Sequence, residues 1–135
     1  MSDAAKAPRE RPMSPHLSVW RWHITMASSI AHRVTGVALY VGALIAAAWA
    51  VSLASGPEAY AGFKSILGSP LGLVVMFGLT VSFFFHLANG VRHLVWDTGH
   101  GLDVKSANAS AVFVFAFTAA ATIAVWVIYA MTGAL

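Results

Sequence analysis

VTGVALYVGALIAAAWAVSLASGP, residues 34–57, contains no Asp, Glu, Lys or Arg. About 20 consecutive apolar residues are enough for one helix to cross the hydrocarbon of a bilayer. Two further stretches have the same property, residues 65–91 and 106–135. Each of the three gaps holds one span and is too short for two with a turn between them. The reading is an all-α membrane protein with three transmembrane helices, near residues 28–53, 70–95 and 109–131, in a single domain 28–135. Residues 1–27 carry three prolines and mixed charge and read as an extended polar arm.

Composition agrees. Hydrophobic residues make up 59% of the chain and charged residues 10%, against about 25% charged in an ordinary soluble domain. So few charges cannot clothe a water-soluble surface, so the lipid bilayer is the solvent for most of the exterior. The net charge of +3 does not indicate a nucleic-acid partner, because the basic residues form no patch with interleaved aromatics. There is no cysteine, hence no thiolate nucleophile or iron–sulfur ligand in this chain. A signal peptide is not expected. Lys6, Arg9 and Arg11 make a positive start, but Pro8, Pro12 and Pro15 break up the stretch, and the first apolar run begins only after Ala27.

The connections are short. Ser55-Gly56-Pro57 reads as a helix stop and turn. Tyr60, Phe63 and Leu67 recur at i, i+3 and i+7, the mark of a short amphipathic piece on the membrane surface. Gly99, Gly101 and Asp103 mark the second connection. With three spans, Lys6, Arg9, Arg11, Arg21, Arg33, Arg92 and Lys105 fall on one side and Lys64 alone on the other. The positive-inside rule then places the amino terminus in the cytoplasm and the carboxyl terminus outside, which in a bacterium is the periplasm.

Two polar clusters interrupt the apolar helices. In the first span Ser29, His32, Arg33 and Gly36 stand at i, i+3, i+4 and i+7, one helical face. In the second His86, Asn89, Gly90 and His93 repeat the pattern. The start of the first helix and the end of the second share one side of the membrane, so the two faces can meet. His86 lies roughly 10 Å deeper than His93 at about 1.5 Å per residue. Ionisable groups at that depth are costly and are usually functional. A neutral imidazole suits haem iron, and an arginine pairs with propionates or hydrogen-bonds a quinone carbonyl. The same residues also suit plainer roles: a histidine bonded to a neighbouring helix, a serine bonded to its own backbone, glycines that let helices pack. Arg92 reads as a flank charge, and Trp20, Trp22, Trp96 and Trp126 as interfacial anchors. Phe83, Phe84 and Phe85 read as lipid-facing or core bulk, and His16, His23 and His100 as surface groups.

Three stretches together carry a family resemblance: RPMSPHL at 11–17, SIAHRVTG at 29–36, and HLANGVRH at 86–93 with Asp97 and Gly99. In content, order and spacing they resemble the cytochrome b subunit of succinate dehydrogenase, the larger membrane-anchor subunit of complex II. The resemblance implies that His86 is an axial ligand of haem b, with the other axial histidine supplied by a second membrane-anchor subunit in a heterodimeric helix bundle. It implies that Ser29 and Arg33 line the ubiquinone site, with Ile30 in its wall, and that His32 lies beside the haem propionates. His93 and Arg92 are carried as propionate or structural contacts. It further implies a flavoprotein subunit that oxidises succinate and an iron–sulfur subunit docked on the cytoplasmic face of the bacterial inner membrane. This chain by itself would not catalyse succinate oxidation. The alternatives are an anchor of a fumarate reductase, or a haem-free structural anchor; the spans hold no carboxylate and no interrupted repeat pair, which argues against transport.

Overall fold

The computed structural model describes residues 12–15 and 18–132. The basic residues Lys6, Arg9 and Arg11, and His16 of the 11–17 motif, lie outside them. The described residues form four helices: α1 (Ile24–Ala54), α2 (Pro57–Leu67), α3 (Pro70–Asp97) and α4 (Val104–Met131). α1, α3 and α4 are each long and apolar enough to cross a membrane. At about 1.5 Å per residue, the 31 residues of α1 span about 46 Å. That exceeds a hydrocarbon core of about 30 Å, so the helix ends stand in the headgroup region.

Two helices start earlier than the apolar gaps imply. α4 begins at Val104 because Asp103 caps it, its Oδ1 accepting from the Ser106 amide at 2.9 Å. That bond satisfies one of the free amides of the first turn, so the helix includes the polar Lys105, Ser106 and Asn108. α1 starts at Ile24, directly after His23. Helix geometry needs hydrogen bonds and not apolarity, so both helices continue past the hydrocarbon edge. α2 is the amphipathic piece, with Tyr60, Phe63 and Leu67 half-buried on its inner side and Glu58, Lys64 and Ser65 exposed.

The distribution of burial is the reverse of a soluble protein's. Among the described hydrophobic residues only Phe85, Ala111 and Val114 are buried, whereas Ser28, Ser52, Ser82, Asn89, Arg92, Thr118 and Thr122 are buried polar groups. Large apolar side chains such as Val37, Tyr40, Leu71 and Ile123 face outward. In lipid the hydrophobic effect does not pull helices together, so small and polar residues take the contacts. α3 lies between α1 and α4 and touches both. Phe77 meets Trp126, Phe84 meets Phe117 and Phe85 meets Phe115 along the α3–α4 seam. Gly72 marks the closest approach of backbones. A Cβ there would collide with the carbonyl oxygens of Ile66 and Leu67, so the α2–α3 turn closes only around a glycine.

Candidate functional site

α1 and α3 run antiparallel, which sets the first turns of α1 beside the last turns of α3. Three imidazoles collect there. The His32 ring stacks on His86 with centroids 4.0 Å apart and planes 11° from parallel. His93 lies on the other side of His32 at 5.2 Å and meets Trp96 edge-on.

The hydrogen-bond network selects the tautomer of a neutral His86 ring. Thr35 Oγ1 donates to the Ala31 and His32 carbonyls at 2.8 and 3.0 Å. Its single proton is thereby used, and toward His86 it presents a lone pair. His86 Nδ1 lies 3.3 Å from that oxygen and 3.2 Å from the His32 carbonyl oxygen. Both neighbours are acceptors, so Nδ1 carries the proton, and in the neutral ring Nε2 keeps its lone pair. This is the arrangement of a metal-ligating histidine whose second nitrogen is held by a carbonyl. His93 is fixed in the same sense, donating from Nδ1 to the Asn89 carbonyl at 2.7 Å. Gly36 makes the packing possible. A Cβ at that position would lie 3.2 Å from His86 Cε1, so the space beside Gly36 is filled by the imidazole of the adjacent helix. Beside Gly90 the space is open.

Beside the imidazoles lies a second polar group of residues. Ser28 Oγ donates to Asn89 Oδ1 at 2.8 Å, with both residues fully buried. Arg92 Nη1 donates to the same oxygen at 3.3 Å. A guanidinium only donates, so Asn89 must turn its carbonyl toward it. Arg92 Nε reaches Ser110 Oγ at 2.8 Å and Nη2 reaches the Ala107 carbonyl at 2.9 Å, both on α4. Its guanidinium also covers the Trp96 ring at 3.9 Å, and Trp96 Nε1 donates to the Gly101 carbonyl. One connected network thus joins α1, α3 and α4. Two donors or acceptors in this region have no partner among the described residues, His32 Nδ1 and Asn89 Nδ2.

The site residues expected from sequence divide into two groups. His32, His86 and His93 are brought together. Ile30 and Arg33 are exposed, and Ser29 is half-buried; the serine that engages α3 is Ser28. Arg92, expected as a flank charge, is instead a buried tie between helices. Trp96 is its stacking partner more than a free anchor. The sequence contained a signal for both: Ser28, His32 and Thr35 stand at i, i+4 and i+7, and Arg92 follows Asn89 by three. Of the phenylalanines, Phe83 is exposed and Phe85 buried. His23 and His100 lie at the surface.

Fold and site together define a three-span helical membrane protein with a layer of histidines at one end of its bundle. A sequence model described as the succinate dehydrogenase/fumarate reductase transmembrane subunit matches residues 7–125. The mitochondrial succinate dehydrogenase cytochrome b560 subunit of Sus scrofa is 39% identical over 110 residues, covering 80% of this chain and 65% of the pig chain. The succinate dehydrogenase cytochrome b556 subunit of Rickettsia felis is 36% identical over 118 residues, 87% of this chain and 92% of the relative. That of Paracoccus denitrificans is 37% identical over 100 residues, 74% and 77% of the two chains. The chain belongs to the family of succinate dehydrogenase/fumarate reductase transmembrane subunits.

Proposed function

We propose that this chain is the haem b-bearing membrane-anchor subunit of a succinate:ubiquinone oxidoreductase and forms part of its quinone-reduction site. The observation that carries the reading is the orientation of His86, whose Nδ1–H is held by two acceptors and whose Nε2 lone pair is left for iron. The residues around it fit a macrocycle with acidic side chains. His32 Nδ1 is a buried atom with no partner among the described residues. When bound, the haem supplies a one-electron store beside the quinone.

The chain's own residues supply binding and positioning. His86 would hold the haem iron through Nε2, with a histidine of the second anchor subunit as the other ligand. His93 lies on the same helical face about 10 Å along α3, so it would not be the second ligand. His32 would donate from Nδ1 to a propionate, and His93 would donate from Nε2 when its ring carries both protons. Arg33, exposed near the same end, polarises a quinone carbonyl and stabilises negative charge that develops on its oxygen. Ser29 presents a hydroxyl to the other reactive oxygen, and Ile30 forms an apolar wall. Succinate oxidation and the iron–sulfur relay belong to the flavoprotein and iron–sulfur subunits, which dock at this end. The histidine end, with the start of α1, faces the cytoplasm; the last turn of α4 faces the periplasm of a bacterial inner membrane. The family description covers both directions of the reaction. The naming of the relatives as succinate dehydrogenases favours the succinate-oxidising direction.

The test is His86→Ala in the purified complex, read by the reduced-minus-oxidised spectrum. The expected outcome is loss of the b-type haem band with the subunits still co-purifying. An unchanged band would remove the ligand assignment. Arg33→Ala, assayed in parallel, should depress ubiquinone reduction while succinate oxidation by a dye acceptor continues.

A further inference from the structure

The end of the bundle opposite the histidines holds a cavity of about 490 Å³. All four helices line it, with Trp49 of α1, Tyr60, Phe63 and Lys64 of α2, Met76 of α3 and Trp126 of α4. Its volume falls within the range of small-ligand sites. The wall is mostly apolar and aromatic, with hydroxyls of Tyr60, Thr80 and Tyr129 among its polar groups; two further polar groups point to a ligand.

The first is the Trp126 indole. It can only donate, its Nε1 is buried, and it has no partner among the described residues. An unpaired donor in an apolar setting is costly unless an acceptor enters from elsewhere. The second is Lys64. Its ammonium lies 4.9 Å from the Tyr60 ring centroid, and it is the sole Lys or Arg between Val34 and Val91. The one lysine at this end of the described bundle therefore borders the cavity, and its α2 neighbours Phe63 and Leu67 turn inward. The rim continues into lipid-facing surface, with Ile66 and Leu71 strongly exposed.

We propose that this cavity is a phospholipid site. The phosphate pairs with Lys64 Nζ, an ester carbonyl oxygen accepts from Trp126 Nε1, and the first part of an acyl chain lies against Phe63 and Met76. A soluble anion would satisfy Lys64 and waste the apolar wall. A neutral apolar molecule would fill the wall and leave the ammonium and the indole N–H without acceptors. An anionic phospholipid answers all three demands, and it is the surrounding solvent of these helices. The site uses none of the residues of the histidine end.

The experiment uses the whole complex, purified as wild type, Lys64→Gln and Trp126→Phe. Each is reconstituted in nanodiscs of phosphatidylcholine containing phosphatidylglycerol, released into detergent, and weighed by native mass spectrometry. The wild type is expected to retain a phospholipid, with phosphatidylglycerol favoured over phosphatidylcholine. Lys64→Gln should cut that preference about fivefold, the weight of one basic residue near an anionic lipid. Trp126→Phe should lower retention of both lipids and leave the preference unchanged. The proposal is overturned if the wild type retains no lipid, if both variants retain lipid as the wild type does, or if the molecule lost on Trp126→Phe is a quinone.

Discussion

The two ends of the bundle are built on different principles. At the histidine end, polar side chains cross between helices: Ser28 to Asn89, Arg92 to Asn89, Ser110 and the Ala107 carbonyl, and His86 to the His32 carbonyl. At the other end the helices meet through aromatic and aliphatic surface, with Phe77 on Trp126 and Leu79 against Gly42, and they leave a cavity between them. A hydrogen bond has one geometry, whereas apolar contacts in lipid have many of similar energy. The polar end is therefore the end at which helix register is set. The histidines stand where their positions are fixed most narrowly, and the apolar end is free to accommodate lipid.

The largest test of this contrast is Arg92→Ala. It removes three hydrogen bonds at about 0.6 kcal/mol apiece in a membrane protein, so the complex should lose about 2 kcal/mol of stability, read as earlier unfolding in a denaturing-detergent titration. A Phe77→Leu control at the opposite end should cost less, because one apolar contact replaces another. Equal losses would show that the polar layer is not what fixes the bundle.

Gly36→Val tests the seat of the imidazole. The new side chain enters space held by His86 Cε1, at a cost of about 1–2 kcal/mol for overpacking. The expected readout is a lowered haem content in complex that still assembles. Full haem content would mean that the ring can shift without consequence.

Ser28→Ala against Ser29→Ala separates structure from substrate binding within one dipeptide. Ser28→Ala should cost about 0.6 kcal/mol of stability and leave the KM for ubiquinone near its starting value. Ser29→Ala should leave stability alone and raise that KM. The reverse pattern would exchange their roles.

The smallest effect concerns pH at the start of α4. The Ser106 side chain and amide beside Asp103 hold its carboxyl below the ordinary carboxylate range. A carboxylate with a lowered folded-state pKa stabilises above its unfolded value, and that help is lost as pH falls through the folded value. Amide exchange in the first turn of α4, at Ser106 and Ala107, should therefore speed up only at acid pH, and Asp103→Asn should flatten the dependence.

Much of this protein is legible without coordinates. The three charge-free stretches and the stop signals at Ser55–Pro57 and Gly99–Asp103 determine helical spans, because a backbone in hydrocarbon must satisfy its own hydrogen bonds. The 3.6-residue period likewise placed His32 and Gly36 on one face and His86 and His93 on another. Sequence did not reveal which neighbour of a doublet points inward. Ser28 and Ser29 differ by about 100° around α1, and a helix rotation smaller than that exchanges them. Nor did it reveal that Arg92 is buried: a charge near a span end reads as a flank until the α4 carbonyl and hydroxyl that receive it are known, and those lie 15 and 18 residues further along the chain. The chain's local chemistry decided that it crosses the membrane three times. Only the packing of α1 and α4 against α3 decided which polar groups were satisfied and which, like Trp126 Nε1 and His32 Nδ1, were left without a partner among the described residues, because satisfaction depends on distances between residues far apart in sequence.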